Sequence, residues 1–85
     1  MATAEPSPTP NPNAMKFTLD TRLSETLNVK PGEDTGGDPF LDTVLDVEGV
    51  VAVFGTNDFV TVSREPDADW QPIIDAVQAA AAEHL

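Results

Sequence analysis

The 85-residue sequence contains no cysteine and no tyrosine, and it has only four lysine and arginine residues in total. Without thiolates, the chain has neither a disulfide nor a thiolate metal site to stabilise a small fold. No apolar run reaches the length of a membrane-spanning helix, and the N-terminus lacks the basic and apolar regions of a signal peptide. We therefore expect a cytoplasmic domain that is stabilised by one apolar core.

The charge of the chain is strongly one-sided. Fifteen Asp and Glu residues against four Lys and Arg residues give a net charge of −11. Such a surface repels phosphate groups and anionic lipids, so we expect binding to neither nucleic acid nor membranes. Mutual repulsion also keeps molecules apart, which favours a monomer. A basic partner would be attracted, and a generic acidic interaction protein that captures such a partner therefore stays an alternative function.

Periodic patterns predict four β-strands. Alternating apolar residues predict one strand at Met15–Leu19 and a weaker one at Thr26–Lys30. Two runs rich in β-branched residues, Val50–Phe54 and Phe59–Ser63, flank the turn residues GTND and predict a β-hairpin. The segment PGEDTGGD, directly after the second predicted strand, is typical of a loop.

Two helices are predicted from apolar residues at spacings of three and four. The first begins at Pro39 behind Asp38 as its N-cap and is about ten residues long. The second runs from Trp70 to about Glu83 and carries an apolar stripe. The first helix is too short to be stable without packing, and each helix is expected to bury its apolar side against the sheet.

The order of these elements predicts an α+β fold, in which a four-stranded antiparallel sheet carries both helices on one face (β-β-α-β-β-α). Residues 1–8 are predicted to be a disordered leader, and residues 9–85 the folded domain. The predicted core residues are apolar residues of the strands and helices: Phe17, Leu41, Leu45, Val53, Phe54, Trp70, Ile74 and Val77. The other face of the sheet is predicted to carry the polar residues Lys16, Thr18, Thr61 and Ser63.

The stretch TPNPN, residues 9–13, directly precedes the first predicted strand. Each proline restricts the residue before it to extended conformations, and Asn side chains bond to neighbouring backbone groups. We expect a rigid lead-in that lies along the domain surface. It either has a structural role alone or also contacts a partner, and the candidate partner-binding residues are Asn11, Asn13 and Lys16.

The sequence offers no constellation typical of catalysis or metal binding. Its one histidine, His84, stands beside Glu83 at the C-terminus, and no nucleophile is paired with a base. Glu33, Asp34 and Asp38 lack the spacing of a calcium loop. We therefore predict a protein that is not an enzyme and has no catalytic residue and no metal ligands.

Three segments, TPNPNAMKF, VEGVVAVFGTNDFVTVSRE and DWQPII, resemble in order and spacing the N-terminal domain of Nfu/NifU-type iron–sulfur cluster scaffold and delivery proteins. The resemblance runs from Thr9 to the C-terminus, and the chain looks like a stand-alone bacterial form. In full-length family members the cluster is held by a Cys-x-x-Cys motif in a separate C-terminal domain.

The resemblance implies a function in iron–sulfur cluster assembly or delivery, as an accessory module that binds proteins. It implies iron–sulfur assembly or client proteins as partners. No cofactor would be bound directly, and a cluster would be reached only through a partner. The resemblance also implies that TPNPN belongs to the folded domain.

Overall fold

The computed structural model describes residues 3–23 and 26–85, which form five strands and two helices. In chain order these are β1 (Ala4–Pro8), β2 (Ala14–Leu19), β3 (Leu27–Val29), α1 (Pro39–Leu45), β4 (Val50–Thr56), β5 (Phe59–Arg64) and α2 (Trp70–His84). The strands form one antiparallel sheet in the order β1-β2-β5-β4-β3. Both helices contribute to a single core on one face of this sheet, as the sequence predicted.

The sheet has five strands and not the predicted four, because residues 4–8 form β1. The sequence placed this segment in a disordered leader, but it pairs with β2, with Ala4 opposite Leu19. Pro6 and Pro8 lack an N–H group and are tolerated here because an edge strand needs hydrogen bonds on one side only. A composition that suits a leader therefore also suits the edge of a sheet.

The stretch TPNPN is the turn between β1 and β2, and not a lead-in to the first strand. The Thr9 hydroxyl donates to the carbonyl oxygen of Ala14 across the turn, at 2.9 Å. The side-chain oxygen of Asn11 accepts from the N–H of Asn13 at 2.9 Å, and the Asn11 carbonyl accepts from the N–H of Ala14 at 3.1 Å. The polar side chains of this stretch thus hold their own backbone in a compact turn.

The core lies between the sheet and the two helices. Its fully buried members come from both layers: Phe17, Val53, Val60 and Val62 from the sheet, and Phe40, Val44, Ile73, Val77, Ala80 and Ala81 from the helices. Leu41 is also buried, whereas Leu45, Ile74 and Trp70 are partly exposed at the margin of the core. Stability therefore depends on one continuous apolar cluster, since no disulfide is available.

Phe54, which the sequence assigned to the core, lies on the opposite face of the sheet and is 40% exposed. A β-bulge between Val50 and Ala52 inserts one extra residue into β4. Because side chains alternate between the two faces, this extra residue lets both Val50 and Val53 face the core. Phe54 then faces outward.

Each helix begins at a carboxylate cap. The side chain of Asp38 accepts from the N–H of Phe40 at 2.9 Å at the start of α1. Asp69 accepts from the N–H of Gln71 at 3.2 Å at the start of α2. The helix α1 has seven residues, fewer than the ten predicted, and its C-cap is Asp46.

Trp70 connects the start of α2 to the turn between β1 and β2. Its indole N–H donates to the carbonyl oxygen of Pro12 at 3.3 Å. The guanidinium carbon of Arg64 lies 4.9 Å from the centroid of the indole ring, and the Arg64 backbone N–H donates to the carbonyl oxygen of Asn13 at 2.8 Å. Trp70 and Arg64 therefore hold the turn, the last strand and the last helix together.

We predict that Trp70→Ala lowers the free energy of unfolding by about 2–3 kcal/mol, somewhat less than the loss for a fully buried tryptophan. Trp70→Phe keeps an aromatic ring near Arg64 but loses the indole N–H and part of the ring area, so it should cost less, about 1–2 kcal/mol. Urea denaturation followed by circular dichroism measures both. Equal stabilities for wild type and Trp70→Ala would contradict the connecting role.

Salt should stabilise the fold. The net charge is −11, and in residues 3–23 and 26–85 no Lys or Arg nitrogen lies within 4.0 Å of a carboxylate oxygen. The repulsion among carboxylates is thus not offset by close ion pairs, and raising sodium chloride from about 10 mM to about 150 mM should raise the melting temperature.

The matched variant for this salt effect is Asp46→Asn, which removes a negative charge at the C-terminal end of α1, where the helix dipole disfavours it. Its melting temperature should be higher at low salt, and its response to salt should be smaller. A melting temperature of the wild type that stays flat or falls with salt would refute the prediction.

Candidate functional site

The face of the sheet opposite the helices is the candidate binding surface. We call it the open face and define it by the outward residues of its three central strands: Ala14, Lys16, Thr18, Ala52, Phe54, Thr56, Phe59, Thr61 and Ser63. The register places these residues in rows, with Lys16 opposite Thr61 and Thr61 opposite Phe54. A second row joins Thr18, Phe59 and Thr56. The open face carries the polar residues that alternation predicted for it.

Two aromatic rings and one amino group lie close together on the open face. The ring centroids of Phe54 and Phe59 are 6.4 Å apart, and the rings are tilted by 48°. The Nζ atom of Lys16 lies 4.7 Å from the centroid of Phe59. An apolar surface therefore adjoins a positive charge that a ring face helps to orient.

The open face differs in charge from the rest of the molecule. No Asp or Glu occupies an outward position of β2, β4 or β5, all of which the structure describes. Acidic residues adjoin it at Glu5, opposite Thr18 on the edge strand β1, and at Asp58, in the turn between β4 and β5. On a chain of net charge −11, this surface has Lys16 as its central charge.

The two edges of the sheet are poorly suited to accept a further strand. At one edge, Pro6 and Pro8 have no N–H group to donate. At the other, β3 is three residues long, and the N–H of the next residue, Lys30, already donates to a carboxylate oxygen of Glu33 at 2.8 Å. A partner is therefore expected to bind the face of the sheet and not to extend the sheet.

The structure does not join the three predicted partner-binding residues through a shared contact. Lys16 lies on the open face. Asn11 and Asn13 lie in the turn between β1 and β2, where the Asn11 side chain bonds to the backbone of Asn13. The Asn11 side chain therefore has a clear role in shaping the turn, whereas the role of both asparagines in binding stays a prediction.

Sequence reasoning missed Phe54 and Phe59 as surface residues. For Phe59 a signal was present, since it alternates in phase with Thr61 and Ser63, which were assigned to the exposed face. For Phe54 no comparable signal existed, because the bulge before it reverses the alternation of β4. Exposed aromatic residues on a flat surface are typical of protein-binding sites.

A second surface feature is an open groove of about 360 Å³ beside the start of α2. It is lined by Val47, Glu48, Gly49, Glu65, Asp67, Ala68, Asp69 and Pro72. Gly49 is required there, because its φ is +96° and an added Cβ would lie 2.6 Å from the Cβ of Ala68. The four carboxylates would attract the side chain of a lysine or arginine, and the apolar residues would contact its methylene groups.

Within residues 3–23 and 26–85, the structure brings no three His, Asp or Glu side chains together in an arrangement that could hold a metal ion. The ring nitrogen Nε2 of His84 lies 3.7 Å from a carboxylate oxygen of Glu83 at the end of α2. None of the helices in the described part of the chain has both the length and the apolar character needed to cross a membrane.

The family described as scaffold protein Nfu/NifU N terminal matches residues 5–85. Among solved structures, the crystal structure of protein SAV1430 from Staphylococcus aureus is 34% identical, with a TM-score of 0.74. That match covers 88% of this chain and 92% of the other. A Staphylococcus epidermidis protein solved by NMR is 26% identical with a TM-score of 0.64, and the match covers 92% of each chain.

Longer proteins also match. Conserved virulence factor C of Staphylococcus aureus is 35% identical over 77 residues, which cover 86% of this chain and 20% of that protein. The Bacillus subtilis protein YpgR is 35% identical over 75 residues, with the same shares covered. The chain therefore spans about a fifth of the length of these curated relatives.

Because Phe54 lies on the open face and Val53 lies in the core, substitutions at these two positions should differ in their cost to stability. Phe54→Thr keeps a residue that favours strands and removes an exposed ring, so it should cost less than about 1 kcal/mol. Its neighbour Val53 is fully buried, and Val53→Ala should cost about 2–3 kcal/mol. Urea denaturation of both variants checks the assignment, and a larger loss for Phe54→Thr than for Val53→Ala would refute it.

Proposed function

Because the chain belongs to the family of Nfu/NifU scaffold N-terminal domains, we propose that it is a non-catalytic module that binds proteins of iron–sulfur cluster assembly or delivery. The family match confirms the resemblance found in the sequence segments. It begins at residue 5, inside β1, and so includes the strand that was predicted to be a leader. The activity and partners of the much longer relatives are not transferred, since the chain matches only a fifth of their length.

A cluster, in this proposal, is held by the partner. Iron–sulfur clusters are held mainly by cysteine thiolates, and the sequence has no cysteine. The chain would contribute contacts that bring a cluster-carrying protein or a client protein into place. The cytoplasmic location, the monomeric state and the lack of catalytic activity expected from the sequence stay predictions.

The observation that carries the proposal is the open face. The chain leaves Phe54 40% exposed beside Phe59, although burial of such rings is favourable. A partner that covers the two rings would recover this free energy. Aromatic residues are also the side chains on which binding energy tends to concentrate in protein interfaces.

The acidic groove favours a second function, that of a generic acidic protein which captures a basic partner. Glu48, Glu65, Asp67 and Asp69 line it, and the net charge of −11 would speed the approach of a cation. Binding through this groove should weaken strongly as salt is raised. Binding through the aromatic pair should depend much less on salt.

We predict that the tagged chain, used as bait in an extract of its native host, enriches iron–sulfur scaffold, cysteine desulfurase or client apo-proteins. Phe54→Thr should reduce this enrichment by about tenfold, as expected for loss of one well-packed anchor. Glu83→Gln, on the exposed end of α2, is the matched control and should leave enrichment unchanged. Quantitative mass spectrometry measures the enrichment.

Two results would contradict the proposed function. One is enrichment that lacks iron–sulfur proteins altogether. The other is a brown, protein-bound cluster on the isolated chain after anaerobic incubation with iron and sulfide and subsequent desalting, because the chain would then carry the cluster itself.

A further inference from the structure

We propose that the open face docks a short, acidic and amphipathic segment of a partner protein, with an apolar side chain against Phe54 and Phe59 and a carboxylate beside Lys16. The inference rests on the proposed function in one respect, namely that the chain binds a protein. It adds where that protein binds and which side chains the partner must present.

The spacing of the three residues suits a single segment. Lys16, Thr61 and Phe54 lie side by side on three adjacent strands, so the first and third backbone positions are about 10 Å apart. The ring of Phe59 lies between the side chains of Lys16 and Phe54, within contact distance of both. About two turns of a helix, or three to four extended residues, would span this distance.

The charge of the open face selects an acidic segment. Lys16 has no carboxylate oxygen within 4.0 Å in the part of the chain that the structure describes. A carboxylate from a partner would therefore meet an unneutralised amino group beside an apolar surface, where a charge-assisted hydrogen bond is comparatively strong. A basic segment would instead be repelled by Lys16 and attracted to the groove with Glu65 and Asp67.

The size of the open face argues against a second copy of the chain as its occupant. Three to four strands about 20 Å long present roughly 300–400 Å², whereas a stable complex buries about 800 Å² on each partner. Two copies would also bring together two net charges of −11. A segment of about eight residues, bound weakly and reversibly, fits this surface better.

The test uses the full chain, labelled with ¹⁵N, and three synthetic peptides of about eight residues, which is enough for two helical turns and more than enough for an extended segment to cross the face. All three share the same leucine and phenylalanine positions and differ in the polar positions, which are glutamate, glutamine or lysine. Amide shifts and dissociation constants are measured by NMR at low and at physiological salt. The variants are Lys16→Gln and Lys16→Glu, which change an exposed side chain.

We expect the glutamate peptide to shift the amides of Lys16, Phe54, Phe59 and Thr61 and to bind about tenfold more tightly than the glutamine peptide. Lys16→Gln should remove this preference, and Lys16→Glu should transfer it to the lysine peptide. Because the whole chain repels an acidic peptide, binding of the glutamate peptide should not weaken when salt rises to the physiological range.

The inference is overturned if the glutamine or lysine peptide binds the open face of the wild type as tightly as the glutamate peptide does. It is also overturned if the glutamate peptide shifts amides around Glu65 and Asp67 instead, or if no peptide binds at millimolar concentration. If iron–sulfur proteins are still enriched by the bait in that case, the proposed function stands without this docking mode. If the peptide preference holds and no iron–sulfur protein is enriched, the docking mode stands and the proposed function fails.

Discussion

The extra residue in β4 determines what each face of the sheet presents. Without the bulge, inward placement of Val50 would bring Ala52 and Phe54 to the core as well and turn Val53 outward. With it, Val50 and Val53 both pack under the helices, and Phe54 joins Phe59 outside. The core gains a compact β-branched residue and the surface gains an aromatic pair. Packing and the candidate binding surface thus have one structural cause.

The first hairpin, formed by β1 and β2, completes the sheet at one edge. Its strand β1 protects the edge of β2, and the prolines that would disrupt a central strand keep β1 from pairing further. Its turn is tied to α2 through the indole N–H of Trp70 and the carbonyl of Pro12. TPNPN is therefore held on two sides, by the sheet and by the last helix, which explains why so polar a stretch belongs to the folded unit.

Most of the architecture was predictable from the sequence because its signals are local. The N-cap Asp38, the turn residues between β4 and β5 and the helical spacing of apolar residues all act within a few positions. The strand β1, which was not predicted, depends on pairing with β2 and has no apolar alternation of its own, so its composition pointed to a leader. The outward position of Phe54 depends on a bulge that no local pattern marks. Lys16 was predicted on the correct face, whereas its aromatic neighbours Phe54 and Phe59 were not.

Charge separates the two candidate surfaces more sharply than shape does. Carboxylates crowd the loops and helices, including the groove beside Gly49, while the outward positions of the three central strands carry none. Selection for solubility alone would not exclude acidic residues from the exposed face of the sheet. Beside the exposed ring of Phe54, charged neighbours would do most to keep the surface soluble. The exclusion is understandable if that face must be left apolar for a partner. For a member of a scaffold family that has no thiolate of its own, such a contact surface is the feature through which it would act.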